Sequence, residues 1–240
     1  MTDLRHLTTD RLRLDVPTTD DLPELFAIYS DPRVWTHFPS LRHTTLEQTG
    51  RMLDAWTLAW RDVGLGPWVA RRHGDDAVIG HVGCSPRAQW WNLGYRFAAE
   101  THGQGLATEA ARPALEAAPT VREVPVVAYL LEHNHASRRV VDKLGLTLQH
   151  RGPDAGNPDP AAVRLVYADR ELAAGQLAGT CASRPREHTA SADDLRLYMD
   201  PCPPPRTRSA TTSARPAPFV PSSTSATPSS CRGPRRSPPG

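Results

Sequence analysis

The chain has 240 residues, 39% of them hydrophobic, and a formal net charge of +2. No apolar run reaches about 18 residues, which excludes a membrane-spanning helix, and the first residues lack the apolar core of a signal peptide. The length exceeds the ~100–200 residues of one domain and predicts a domain plus an additional segment.

That additional segment lies at the C-terminus. Residues 201–240 contain 11 of the 24 prolines, six arginines and no acidic residue, so they carry +6 and the rest of the chain −4. Such a composition buries too little apolar surface to offset the entropy of ordering. We therefore predict a domain over residues 1–174 and a disordered Pro/Ser/Thr/Arg-rich tail over residues 175–240.

Three interpretations of the tail remain open at this point. It is a solvated segment without function, a basic arm for nucleic acid or another polyanion, or an out-of-frame extension. The only lysine is Lys143, against 27 arginines, which indicates a GC-rich coding sequence in which a shifted frame often yields Pro, Arg, Ser and Ala. Because the basic character is confined to the tail, we do not expect a nucleic-acid partner.

The four cysteines are not arranged for metal binding. They are Cys84, Cys181, Cys202 and Cys231, and no two stand at the spacing of zinc ligands. Since nothing indicates a disulfide framework either, we expect a reducing, cytoplasmic location and no metal.

The first half of the chain predicts a strand, two helices and a hairpin. Residues 11–16 alternate as in a strand. Thr18 with Asp21, and Thr44 with Glu47, have the spacing of capping boxes before apolar positions at helical intervals. Residues 67–72 and 77–84 then read as two strands joined by a turn.

The central stretch is a short strand, a loop with two glycines and a helix. Gly103 and Gly105 let the backbone approach a ligand closely, and residues 106–118 are rich in helix formers. The first N–H groups of a helix have no internal partner and lie at the positive end of its dipole, so this loop predicts an anion site. Pro113 should bend the helix or shorten it.

The second half continues with a buried strand, a short helix and two late strands. Residues 124–131 form a continuous apolar run, as in a strand buried on both faces. Residues 136–144 predict a helix that Gly145 would close. Residues 146–151 and 163–168 complete the order β-α-α-β-β-β-α-β-α-β-β.

Two common phosphate-binding motifs do not fit the glycine loop. A dinucleotide fingerprint needs Gly or Ala where Thr108 stands, and a Walker loop needs a lysine. The residues His102-Gly103-Gln104-Gly105-Leu106-Ala107 resemble motif A of the GNAT N-acetyltransferases, with His102 in place of the usual Arg or Gln. Gly94-Tyr95 before the loop and Ala107-Thr108-Glu109-Ala110 after it are similar to the ribosomal-protein-alanine acetyltransferase (RimJ/RimL-type) branch.

The resemblance covers about residues 8–172 and implies an α/β GNAT fold with helices on both faces of a mixed sheet. In that fold the parallel strands four and five splay apart, and acetyl-CoA enters the gap as co-substrate. Strand four would be residues 93–98, where a backbone N–H would polarise the thioester. The implied cofactor contacts on this side are Arg96, Phe97, Ala98, His102, Gly103, Gln104, Gly105, Leu106, Ala107 and Thr108.

The segment after strand five adds further contacts. Asn134 and Ser137 are residues that cap helices, and capping alone would explain them. Together with Lys143-Leu144-Gly145 they resemble the N-x-x-S-x-x-x-x-x-K-L-G segment of the same branch. The resemblance implies that Asn134 fixes the cofactor arm and that Ser137 protonates the leaving thiolate or donates a hydrogen bond to it.

The base that must deprotonate the amine is where the chain departs from the family. Many relatives in the family carry Glu where this chain has Asn92, which cannot take a proton. Glu132 and Asp154 are the candidates for this role, and a water chain or capture of a neutral amine would need neither.

The sequence thus favours an N-acetyltransferase that acts by direct transfer in a ternary complex, as a monomer or homodimer. The acceptor is a protein N-terminus or a small amine. An acyl-CoA-binding sensor or interaction module that has lost catalysis is the alternative, and Asn92 motivates it.

Overall fold

The computed structural model describes residues 3–155 and 157–182. Its helices are α1 (Leu22–Ser30), α2 (Leu46–Asp62), α3 (Leu106–Val121), α4 (His135–Lys143) and α5 (Ala174–Ala182). Its strands are β1 (His6–Thr8), β2 (Leu12–Asp15), β3 (Trp68–Arg72), β4 (Gly80–Pro86), β5 (Trp91–Phe97), β6 (Val126–Leu131), β7 (Thr147–Pro153) and β8 (Val163–Ala168).

The eight strands form one mixed sheet in the order β1-β2-β3-β4-β5-β6-β8-β7. All neighbours are antiparallel except β5 and β6, which are parallel. The predicted α/β architecture and its parallel pair are confirmed. Because the short strand β1 was not predicted, strands four and five of the sequence analysis are β5 and β6.

Helices cover both faces of the sheet because side chains alternate along each strand. Trp68 and Ala70 of β3 belong to the core that α3 completes, whereas Val69 between them packs with α1 and α2. Five alanines of α3 are buried, so this helix lies close against the strands. It continues past Pro113 to Val121, so the proline does not shorten it.

The two predicted capping boxes have different outcomes. The N–H of Thr18 donates to the Asp21 carboxylate at 2.7 Å, as predicted. At α2 the capping box is one residue later than predicted. Thr45 is the N-cap, and Gln48 stands three residues later, where Glu47 was expected to close the box. The Gln48 Oε1 accepts from the N–H of Thr45 at 3.0 Å, so an amide oxygen replaces the expected Glu47 carboxylate.

The described chain ends in α5, a helix that the sequence analysis had placed in the tail. Thr180 of this helix is fully buried, and Gly179 lies against the Trp90 ring. The helix was missed because its small residues give little apolar periodicity. The prediction for residues 183–240 lies outside the described residues. Among the described helices, none has both the length and the apolar character needed to cross a membrane.

Candidate functional site

The parallel strands β5 and β6 separate soon after they meet. Their register pairs are Trp91 with Val126 and Asn92 with Val127, after which β5 continues to Phe97 without β6 beside it. A cleft of about 750 Å³ opens in the gap, within the ~300–1,000 Å³ usual for ligand sites. The splayed pair that the resemblance implied is therefore present.

The peptide groups along β5 alternate between the gap and the β4 side. The N–H of Trp91 donates toward β6, to the Pro125 carbonyl at 2.8 Å, while that of Ala98 donates to Ile79 at 2.9 Å on the β4 side. Because successive peptide groups of a strand point to opposite sides, those of Tyr95 and Phe97 face the gap. The N–H groups of Arg96 and Ala98 face β4 instead. Arg96 and Phe97 still line the cleft, so the cofactor contacts of Arg96, Phe97 and Ala98 stay a prediction.

The glycine loop has a backbone geometry that favours glycine. Gly103 and Gly105 have φ of +77° and +80°, in the left-handed region that side chains disfavour. Gly105 is the N-cap of α3, and the following residues Leu106, Ala107 and Thr108 line the cleft. The unpaired N–H groups at the start of a 16-residue helix thus lie beside the cleft, which suits a phosphate.

A network behind the loop holds it in place, and the sequence analysis missed it. The Arg11 Nε donates to the Glu109 carboxylate at 2.6 Å, and Arg11 Nη1 donates to the Gln104 carbonyl at 3.0 Å. The Gln104 side chain is exposed, accepts from Arg72 and lies outside the cleft. Gln104 therefore anchors the loop through both its carbonyl and its side chain, and its contact with the cofactor stays a prediction.

His102 ties the same loop to the end of β5. Its Nε2 lies 2.9 Å from the Phe97 carbonyl oxygen, and because a carbonyl only accepts, Nε2 must carry the proton. His102 lines the cleft. The residue therefore has a structural role as well as a position near the predicted anion site.

Asn134 and Ser137 begin α4 on the opposite side of the gap. The Asn134 Oδ1 accepts from the N–H of Ser137 at 3.1 Å, so Asn134 is the N-cap of the helix. The Tyr95 hydroxyl donates to the Ser137 carbonyl at 3.2 Å across the gap. Burial raises the pKa of Tyr95, so its hydroxyl remains a donor at neutral pH. Further along α4, Lys143 also lines the cleft.

The two candidate bases, Glu132 and Asp154, differ in their position relative to the cleft. Glu132 lies outside the cleft lining, and both of its oxygens accept from Arg151, at 2.7 and 2.8 Å. These bonds lower the pKa of Glu132 and so weaken it as a proton acceptor; its role as the base stays a prediction. Asp154 does line the cleft, but it is an ion-pair partner of Arg164 and accepts from Asn157 at 2.8 Å.

The aromatic ring of Trp35, in the segment between α1 and α2, packs against the cationic side chain of Arg96 on β5. The Arg96 guanidinium carbon lies 3.4 Å from the Trp35 ring centroid. His133 Nε2 donates to the His37 carbonyl at 2.8 Å and joins this segment to the start of α4. Burial, with the charge of Arg96, lowers the pKa of His37 to about 4, so its ring is neutral at pH 7.

The burial of His43, in the same segment, predicts that the free energy of unfolding decreases at mildly acidic pH. His43 is 7% exposed, and burial together with Arg96 and Arg51 lowers its pKa to about 4. The unfolded chain, with a histidine pKa near ~6.5, then binds more protons between pH 6.5 and 4. The stabilisation is present above pH ~6.5 and falls by less than ~1.4 kcal/mol per pH unit as the pH drops.

Chemical denaturation between pH 4 and 8 measures this effect. His43→Gln should flatten the dependence, and the same change at exposed His135 is the control. Equal flattening by both variants would contradict the assignment to His43.

Within the part of the chain that the structure describes, no group of three or more His, Cys, Asp or Glu side chains is placed to hold a metal ion. The geometry of the glycine loop fits the phosphate groups of acetyl-CoA. The open faces of Gly103 and Gly105, with no protein atom nearer than 3.8 Å to an added Cβ, leave room for phosphate oxygens.

Comparison with known proteins gives a family and a set of similar folds. The sequence model of the acetyltransferase (GNAT) domain matches residues 11–147. An uncharacterized protein of Bacillus subtilis, YkkB, is 30% identical over 146 residues, which cover 58% of this chain and 84% of that protein.

Two solved structures illustrate the likeness in fold. An acetyltransferase from Agrobacterium tumefaciens is 24% identical with a TM-score of 0.57, over 71% of this chain and 97% of that one. RimL, a ribosomal L7/L12 alpha-N-protein acetyltransferase in complex with coenzyme A, is 17% identical with a TM-score of 0.58, over 69% and 97%.

Proposed function

The chain belongs to the GNAT acetyltransferase family, and from that premise we propose that it moves the acetyl group of acetyl-CoA to a primary amine. Transfer is direct, within a ternary complex, and the amine is a protein N-terminus or a small molecule. We also propose that the chain belongs to the RimJ/RimL-type branch, acts in the cytoplasm, and works as a monomer or homodimer.

One observation carries the proposal. The glycine loop with the start of α3, and Asn134 with Ser137 at the start of α4, line the same cleft between β5 and β6. A diphosphate on the N–H groups at Gly105 to Thr108 would direct an extended arm along the free edge of β5. The Tyr95 hydroxyl bond to Ser137 places that edge beside the start of α4.

The residues of the gap suit acyl transfer. When the amine nitrogen attacks the thioester carbonyl, a C–N bond forms, the C–S bond breaks and negative charge grows on the carbonyl oxygen. The gap-facing N–H of Tyr95 or Phe97 would stabilise this charge. The Ser137 hydroxyl would donate to the departing thiolate, which ends as the free thiol of coenzyme A.

Removal of the amine proton needs no dedicated carboxylate in this proposal. Asn92 is 8% exposed and cannot accept a proton, and Asp154 is bound to Arg164. Asp154 would therefore orient the amine end of the cleft, and the proton would pass to water or be absent from an amine that arrives neutral.

Titration calorimetry with acetyl-CoA, followed by thiol-release assays over a panel of peptides and small amines, tests the proposal. We expect saturable binding at micromolar to millimolar acetyl-CoA and turnover of at least one amine class. Absence of binding at millimolar acetyl-CoA would contradict the proposal. Binding without turnover of any amine would favour the sensor or interaction module instead.

A further inference from the structure

A buried arginine connects the last described helix to the cleft. Arg164 is the only charged residue of β8, is 3% exposed and lines the cleft. It forms an ion pair with Asp154, which is 7% exposed. Its Nη1 donates to the Thr180 carbonyl of α5 at 3.1 Å. One guanidinium thus joins a cleft carboxylate to the backbone of a helix outside the residues that the family match covers.

Helix α5 is held against the sheet by contacts of its own. An added Cβ on Gly179 would lie 3.0 Å from two atoms of the Trp90 ring, so the helix backbone approaches that ring closely. The Gln176 Nε2 donates to the Gln89 carbonyl at 3.2 Å. Thr180 is fully buried. The position of the Thr180 carbonyl is therefore fixed by packing.

The end of the cleft that contains Asp154 is separate from the glycine loop. In the sheet order β5-β6-β8-β7, the glycine loop follows β5, whereas Asp154 follows β7 and Arg164 lies on β8, both across β6. The Arg164 guanidinium carbon is 5.4 Å from the ring centroid of Tyr129 on β6. If the loop takes the diphosphate, this end remains for the amine.

We propose that α5 is a positioning element of the amine-binding end, acting through the Thr180 carbonyl, Arg164 and Asp154. The inference rests on the proposed function for the identity of the ligand. A buried carboxylate keeps its orientation only while the partner that neutralises it is itself held, and α5 supplies that restraint. Residues 157–162 are tied to Asp154 by the bond from the Asp154 N–H to the Ala162 carbonyl at 2.9 Å, so this segment would depend on the same restraint.

Two glycines of α5 allow a matched test in the full-length chain. Gly179→Leu pushes the helix from Trp90, because its side chain has no room there. Gly175→Leu adds the same side chain to the same helix at a position with no atom within 4 Å of the new Cβ. A second pair is Arg164→Gln and Arg151→Gln, because Arg151 also pairs with a carboxylate but lies outside the cleft lining.

The measurements are the KM for the amine, the Kd for acetyl-CoA and the hydrogen exchange of the segment of residues 157–162. For Gly179→Leu and Arg164→Gln we expect the amine KM to rise about tenfold or more, within the ~100-fold that a 1 Å misplacement can cause. Exchange in the segment should accelerate, while the Kd for acetyl-CoA stays within about twofold, since a change confined to KM reports binding at the amine end. The two control variants should match the unaltered protein.

The inference is overturned if Gly179→Leu leaves both the amine KM and the exchange of the segment unchanged. It is also overturned if the variant weakens acetyl-CoA and amine binding equally, because that would report a general loss of packing. Should Arg164→Gln fail to fold, Gly179→Leu with its exchange readout decides alone. Failure of the unaltered protein to bind acetyl-CoA would remove the proposed function but would leave the exchange result standing.

Discussion

Gly105→Val is expected to weaken acetyl-CoA binding by about 100-fold, because a β-branched residue at φ near +80° is strained by more than ~1–2 kcal/mol and the loop must rearrange. Rearrangement turns the N–H groups at the start of α3 away from a phosphate, and the new side chain fills the open face of the loop. The Kd for acetyl-CoA, measured by titration calorimetry, checks this expectation.

Gly74→Val is the matched control. Gly74 has φ of +75°, has no atom within 4 Å of an added Cβ and lies in the turn between β3 and β4, outside the cleft lining. The backbone strain is therefore similar, and both variants should lose a similar amount of unfolding free energy in chemical denaturation. Equal weakening of acetyl-CoA binding by both would show that the loss reflects stability and not an anion site at Gly105.

Asp154→Leu is expected to lower the free energy of unfolding by about 3–5 kcal/mol, since it removes the carboxylate partner of a buried arginine. Arg164 is 3% exposed and is held by the Thr180 carbonyl of α5, so its charge would stay largely buried without the carboxylate. Urea denaturation of the unaltered and substituted proteins measures the loss.

The double variant Asp154→Leu with Arg164→Met separates this penalty from general packing damage. Replacing both members of a buried ion pair by apolar residues is often neutral, so the double variant should recover most of the stability lost by the single one. Glu132→Leu, in the solvent-exposed pair with Arg151, should change little. A double variant no more stable than Asp154→Leu would contradict the account.

The parts of the site that depend on local backbone chemistry could be predicted from the sequence. Gly103 and Gly105 before a run of helix formers predict a loop that a ligand can approach closely and a helix start. The helix starts at Leu106 as predicted, and the structure adds that both glycines have positive φ. Asn134 with Ser137 likewise predicts a helix cap, because the capping bond joins residues three apart.

Contacts between distant segments could not be read in the same way. The sequence does not show that Arg151 pairs with Glu132, or that Ile79 already accepts the N–H of Ala98. Helix α5 was assigned to the tail because its alanines and glycines lack an apolar stripe, although packing against Trp90 orders it. A signal for Arg164 did exist, since a lone charge in an apolar strand indicates a buried partner.

Lys143 is a single site for chemical labelling of a side-chain amine. It carries the only lysine amine of the sequence, and it stands exposed on α4 at the rim of the cleft. Amine-directed dyes or cross-linkers will therefore modify a single lysine side chain, and the extent of its modification will show whether a ligand covers the rim of the cleft. The rate of labelling, followed by mass spectrometry with and without coenzyme A, would give a footprint without any mutagenesis.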